Sequence, residues 1–312
     1  MKPVLFFAAA GLLQAQAPLA DRFRAQYAQP QPAWVGYTVP TVPGHESWCE
    51  YGGHGQLPPG PVHLEPPEPA QIMLRIEGNR VGKIRVISGN CELDADGVPV
   101  RWIRDVRPAD SVAFLSGFVT ADADHVRDGA MAGIALTADP AADNAMDRFA
   151  AAGQPESVRE KAIFWLGEAR GRRGYEVVKR IVTQDADDRI REKAIFALSV
   201  SKEPEALETM IAVAHNDAST HVRGQALFWL AQKAGKKAAG AITDALERDP
   251  DTEVKKKAVF ALQQLPNGEG VPMLIQVARS NKNAAVRKQA VFWLGQSNDP
   301  RALAFIEEVL KP

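Results

Sequence analysis

Two cysteines and six histidines in 312 residues leave little material for most catalytic or metal-binding chemistry. No Gly-rich phosphate loop, Gly-x-Ser-x-Gly elbow or Cys-x-x-Cys pair occurs. Ser199 and Ser201 lie near acids, but no histidine is placed to act as their base. His215 and His221 fall at a turn and a helix start with no third ligand in register. The net charge is −1, with neither a basic excess nor an acidic tail, so electrostatics names no nucleic-acid partner. After the first residues, no apolar run approaches the ~20 positions needed to cross a bilayer. These absences predict no catalytic residue, no metal and no cofactor.

What is present begins with "MKPVLFFAAAGLLQAQAP". Lys2 supplies a positive start, Val4 to Leu13 form a short apolar run, and Ala15-Gln16-Ala17 offers a small-x-small cleavage site. This layout predicts a secretory signal over residues 1–17, cleaved after Ala17, and an exported protein, periplasmic or secreted. An uncleaved anchor is the alternative. In an exported chain Cys49 and Cys91 read as one disulfide. It would close a loop of about 42 residues, worth roughly 3–4 kcal/mol by chain entropy. A metal site adding His45 or His54 is the competing reading, and its spacing fits no strong zinc pattern.

Residues 18–105 predict a small β-rich cap. Proline is dense in "PQPAWVGYTVPTVPG" and "PPGPVHLEPPEP", which argues for extended chain. "QIMLRIEG" and "RVGKIRVIS" flank a Gly-Asn turn as a β-hairpin does, and "GVPVRWIRDV" is a third alternating run. Trp34, Tyr37, Trp48 and Trp102 are candidates for a ligand pocket or for core packing.

From residue 106 to 312 the chain repeats itself. "ESVREKAIFWLGE", "DRIREKAIFALSV", "THVRGQALFWLAQ", "TEVKKKAVFALQQ" and "VRKQAVFWLGQ" begin their apolar stripes at Val158, Ile190, Val222, Val254 and Val286, 32 residues apart. A further step back, "HVRDGAMAGIAL" keeps Val126 and Ala130 but loses the aromatics. The intervening segments share a register. Phe114, Met146, Val178, Met210, Ile242, Leu274 and Ile306 form one column, with a second apolar column four places on. Pro108, Pro140, Pro204 and Pro300 mark helix starts. Each unit is therefore predicted as a helix pair, with about six and a half units in all.

This pattern resembles HEAT repeats, in particular the short bacterial type called PBS-lyase-like. The resemblance covers roughly two thirds of the chain and rests on the valine-basic-x-x-Ala start, the closing Leu, and an Asp or Asn six places before the basic residue. Those last pairs are Asp185 with Arg191, Asp217 with Arg223, Asp249 with Lys255, and Asn281 with Arg287. The resemblance implies a mainly α, right-handed α-solenoid of armadillo type preceded by the β-rich domain. It also implies that these residues are rungs of a ladder linking neighbouring turns rather than an anion-binding stripe. Iron-dependent hydroxylases built on such repeats carry His-Glu pairs on their helices, whereas the one His-Glu here, His45-Glu46, lies outside the repeats.

At about 100° per residue, Val158, Ala162 and Leu166 point to the core and Phe164 points nearly opposite. Phe recurs there as Phe196, Phe228, Phe260 and Phe292, so five rings are expected along the concave face. Lys161, Lys193 and Lys257 lie on one flank, with Glu160 and Glu192 on the other. Such a row marks a protein- or peptide-binding scaffold, unless the rings bury one another by stacking. The next position alternates Trp165, Ala197, Trp229, Ala261 and Trp293, which predicts packing of each indole into space left by an alanine. The competing expectations are self-association through the row, or a hydrolase or lyase site between cap and repeats using Glu50, His54 or His63.

Overall fold

Alternation in "AWVGYTV" decides which face of the first strand is buried. In the computed structural model, which describes residues 17–44, 69–89 and 91–311, β1 spans Ala33–Val39. Its Ala33, Val35, Tyr37 and Val39 are buried on one face. The hairpin expected around Gly78-Asn79 forms from β2 (Ala70–Glu77) and β3 (Arg80–Ser88). Gly78 takes φ +62°, the left-handed conformation that the turn requires. The third run gives only a short strand, β4 (Val100–Trp102). The sheet order is β3-β2-β1-β4, with β1 antiparallel to β2 and parallel to β4. A helix that the proline content did not suggest, α1 (Leu19–Arg24), precedes the sheet and buries Leu19 and Phe23.

The sheet belongs to the first of two compact units, Met1–Trp165 and Leu166–Pro312. Helices α2 (Pro108–Ser116), α3 (Asp124–Leu136) and α4 (Pro140–Ala150) complete this first unit with the start of α5 (Glu156–Ala169). The inner face of the sheet packs on α2 and α3. Tyr37 Oη lies 3.0 Å from Ser111 Oγ in a buried hydrogen bond. Gly129 of α3 brings its backbone so close to β3 that a Cβ there would sit 2.3 Å from the Ile84 carbonyl oxygen. A Cβ on Gly133 would be 2.7 Å from Leu115 and 3.2 Å from Ile72. Ala132 and Gly133 occupy the register of the Phe and Trp of later units. The aromatics are lost here because the sheet fills that space. The expected boundary between 105 and 106 is a change from strand to helix inside one shared core.

The second unit stacks helix pairs. Its first helices are α6 (Gly171–Gln184), α8 (Glu205–Asn216), α10 (Ala239–Arg248), α12 (Val271–Ser280) and α14 (Pro300–Leu310). The second helices are α7 (Asp188–Val200), α9 (Thr220–Ala234), α11 (Thr252–Gln263) and α13 (Ala284–Gly295). Counting α2 to α5, the described helices make the six and a half pairs that the 32-residue period requires. The stripes fall where the period puts them: Ile190, Val222, Val254 and Val286 are buried, as are Leu198, Leu230, Leu262 and Leu294.

Between the helices of a pair, short side chains close the polar turn. Asp185 accepts a hydrogen bond from the Asp187 N–H, and Asp187 in turn accepts from Arg189 N–H at the start of α7. The same Asx turn recurs with Asp217, Asp249 and Asn281 accepting from the N–H two residues on. Such caps are each worth about 0.5–2 kcal/mol.

Candidate functional site

The outward positions of the second helices carry the aromatic side chains. In the second unit these form one unbroken row. Phe196 of α7 lies 4.7 Å, centroid to centroid, from Trp229 of α9, and Trp229 meets Phe228 edge-on at 4.9 Å. Phe228 stacks parallel on Phe260 of α11 at 5.9 Å. Phe260 lies 5.1 Å from Trp293 of α13, which meets Phe292 edge-on at 5.0 Å. In the first unit Phe164 makes the same edge contact with its neighbour Trp165, at 5.3 Å. All these separations are within the favourable range for aromatic pairs, each worth about 0.5–1.5 kcal/mol beyond area burial.

Mutual contact changes the exposure expected of the row. Phe164, Phe196, Phe228 and Phe260 are half-buried, and Phe292 alone of the five is exposed, at 53 %. The neighbouring Val291 adds 37 %. The tryptophans divide as well. Trp165 is buried as expected, but Trp229 and Trp293 are half-buried members of the row rather than core fillers. The alternation with Ala197 and Ala261 therefore has a different cause. Trp229 and Trp293 each cover the Phe of the preceding second helix, and at the intervening step, where Ala261 stands, Phe228 stacks directly on Phe260.

The flanking charges are only partly available. Lys161 pairs with Asp128 at 3.2 Å. Lys257 is exposed, and its stem lies along α9 where a Cβ on Gly224 would be 3.0 Å from Lys257 Cγ. Lys193 and Glu160 are engaged in further contacts. Glu192 lies 3.2 Å from His221 Nε2, an ion pair only when the imidazole is protonated. Burial pushes the Glu192 carboxyl above its ordinary range and His221 opposes that shift. His215 pairs elsewhere, with Asp244 at 3.4 Å. Four places beyond each Phe, on the same stripe, stand Glu168, Val200, Gln232, Gln264 and Gln296. Gln232 Nε2 donates to Gln264 Oε1 at 3.3 Å. This amide border was legible as glutamine at a spacing of 32, a signal the aromatic run overshadows.

Glu168 gives the border a pH response. Burial raises its carboxyl above the usual range, opposed by Lys202 and Lys233. Lys233 donates to the Ser199 and Ser201 carbonyls at 2.8 and 2.6 Å, and burial lowers its ammonium. A raised carboxyl holds its proton more tightly folded than unfolded. Its contribution is full below the unfolded value and is lost as pH rises through the folded one. Glu168→Gln is therefore expected to gain on the wild type in melting temperature between pH about 4 and neutrality. A gap that narrows over that interval would contradict this assignment.

The charged ladder runs along the polar turns. Arg191 Nε and Nη2 donate to both Asp217 oxygens at 2.8 and 2.9 Å, and Arg223 does the same to Asp249 at 2.8 and 3.1 Å. Each arginine also donates Nη1 to a carbonyl of its own turn, Asp185 or Asp217, at 2.8 Å. The carboxylate six places before an arginine thus serves the arginine of the preceding unit, while the guanidinium takes the backbone of its own. The ladder then changes. Lys255 donates to the Glu247 carbonyl at 3.2 Å, and its register partner is Asn281 instead of an aspartate. Among the described residues Arg287 keeps only the carbonyl contacts, to Asn281 at 2.7 Å and Lys282 at 3.2 Å.

In the sheet, Trp34 and Trp102 lie on the outer face and Tyr37 on the inner one, so they share no pocket. Trp48 lies outside the described residues. Cys91 is buried after β3, and Cys49 lies outside the described residues, as do Glu50, His54, His63 and residues 1–16. No described helix is long and apolar enough to cross a membrane.

Two of the solved structures that match this chain do so at low similarity. Human deoxyhypusine hydroxylase in complex with glycerol is 17 % identical, with 64 % of this chain and 90 % of that one covered and a TM-score of 0.33. The CpcE–CpcF complex of phycocyanin lyase from Nostoc sp. is 18 % identical, covering 70 % and 92 %, with a TM-score of 0.32. At these values neither neighbour's activity extends to this chain. No curated protein matches it by sequence. The family model for HEAT repeats matches residues 149–231 and 239–312, just over half of the sequence, and the chain belongs to the HEAT-repeat family.

Proposed function

We propose that this protein is an exported, non-enzymatic scaffold that binds a protein or peptide partner along the aromatic face of its second helices. The observation that carries the reading is Phe292, an exposed ring at the end of a continuous row of rings. Exposed aromatics on a rigid support are typical interface anchors, and the half-buried Phe196, Phe228 and Phe260 present pre-ordered edges that lose little side-chain entropy on contact. Lys257 and the Gln232–Gln264 border supply polar contacts at the rim. HEAT repeats host many interaction scaffolds, which supports the class of function though not the partner. Export rests on the signal-like residues 1–17, and a Cys49–Cys91 disulfide accords with it.

Phe292→Ser separates binding from folding, because the ring is exposed and its one ring contact among the described residues is the edge-on one with Trp293. The variant is expected to lose the partner captured from the exported fraction of the host while its stability changes by about 1 kcal/mol or less. The captured wild-type chain is expected to start at Pro18. A dimer that dissociates in the same variant would make a second copy the occupant. Undiminished capture by Phe292→Ser and by the triple variant Phe196→Ser, Phe228→Ser, Phe260→Ser would end this reading.

A further inference from the structure

The ladder's missing rung coincides with a pocket. Along the second unit, first helices pack on one another at α6/α8, α8/α10 and α12/α14, but between α10 and α12 that packing thins. A pocket of about 410 Å³ opens there, within the size range of small-ligand sites. Its floor is apolar, from the buried Leu246 and Leu262 with Val277 beside them, and its lining also carries the half-buried Lys255 and Asn281 and the exposed Lys282. Glu247 at the rim is the one acid in the lining, so the walls carry a net positive charge.

The two preceding rungs show what this place holds elsewhere. In each, a cation on the second helix meets an aspartate carboxylate of the next turn, and that carboxylate also accepts the turn's own N–H. At the third position the cation remains, as Lys255, and the turn remains closed by Asn281 Oδ1. The guanidinium has become an ammonium, and the negative charge is gone. Lys255 and Lys282 form no ion pair among the described residues, and the Asn281 amide nitrogen makes no hydrogen bond among them. A cation, an unused amide donor and an apolar floor thus face one space.

We propose that this pocket binds a carboxylate carried on an aliphatic chain, the carboxylate lying between Lys255 and Asn281 where an aspartate lies in the preceding rungs. Lys255 Nζ would exchange the Glu247 carbonyl for the ligand oxygens, the Asn281 amide would donate to the same group, and the aliphatic body would rest on Leu246, Leu262 and Val277. This inference does not depend on the aromatic row, which lies on another set of side chains.

Three probes test it on the full chain by calorimetric titration and backbone NMR: hexanoate, N-acetyl-Ala-Ala-Leu, and the carboxamide of that tripeptide. At least one acid is expected to bind and shift the resonances of Lys255 and Asn281, with the carboxamide about tenfold weaker or silent. Tighter binding of the tripeptide acid would name a peptide carboxyl terminus as the source, and tighter binding of hexanoate a free acid. Asn281→Asp restores the missing carboxylate, so this variant is expected to keep or raise its melting temperature and lose the acid. Lys255→Gln, at a half-exposed position, is expected to fold and to weaken the acid about tenfold. Silence from both acids, equal binding of acid and carboxamide, or undiminished binding in both variants would overturn the proposal.

Discussion

Replacing Asp249 by alanine is expected to lower the unfolding free energy by about 3–5 kcal/mol. The guanidinium of Arg223 and the Asp249 carboxylate are both nearly removed from solvent, with side chains 9 % and 4 % exposed. Deleting the carboxylate leaves a cation in a poorly hydrated place where two hydrogen bonds had compensated it. The loss is compounded because Asp249 also accepts the Asp251 N–H at 2.8 Å, and Asp251 is the N-cap residue of α11. Equilibrium urea denaturation of the wild type and Asp249→Ala would measure the difference. Lys255→Ala is the control in register. Among the described residues its ammonium has only a carbonyl partner near the surface, so a loss below about 1 kcal/mol is expected. Equal losses in the two variants would mean that the ladder is not what distinguishes these turns.

The second large effect is expected in the first unit. Gly129→Ala adds one methyl carbon 2.3 Å from the Ile84 carbonyl oxygen and 2.8 Å from its carbonyl carbon. Both are strand backbone and cannot rotate away. The helix must lift from the sheet, which breaks the packing of Gly133 on Ile72 as well. A loss of about 3 kcal/mol or more is expected, at the upper end of overpacking costs. It would be reached despite the helix-propensity gain of about 1 kcal/mol for glycine to alanine. Gly240→Ala in α10 meets nothing within 4 Å. It should stabilise by about 0.4–1 kcal/mol, so the same chemical change is expected to act with opposite sign in the two units.

The helix pairs were legible because a single period governs them. Once Val158 to Val286 fixed the register, every stripe residue followed from 3.6 residues per turn. The outward direction of the Phe column was legible for the same reason. The degree of exposure was not, because it depends on what the neighbouring helix places beside each ring. A projection around one helix sets Trp229 at the core edge, yet Phe196 on the helix before pulls it into the row. The ladder shows a similar limit. A spacing of six residues finds Asp217 and Arg223 together but cannot say that Arg191, 26 positions back, receives the carboxylate. In the amino-terminal region no period helps. The hairpin was readable from its turn, whereas α1 and the parallel pairing of β4 with β1 come from long-range burial on α2 and the sheet.

The break at Lys255 and Asn281 also has a mechanical meaning. Neighbouring pairs in a stacked-helix protein hold together by nearest-neighbour terms alone, and those terms are unequal here. Across the joint between α11 and α13, Phe260 still grips Trp293, but the opposite edge has neither a buried ion pair nor close helix packing. A joint fastened along one edge and loose along the other is held chiefly by its rings. Within the second unit, opening is therefore expected first at this joint, where the nearest-neighbour terms are fewest.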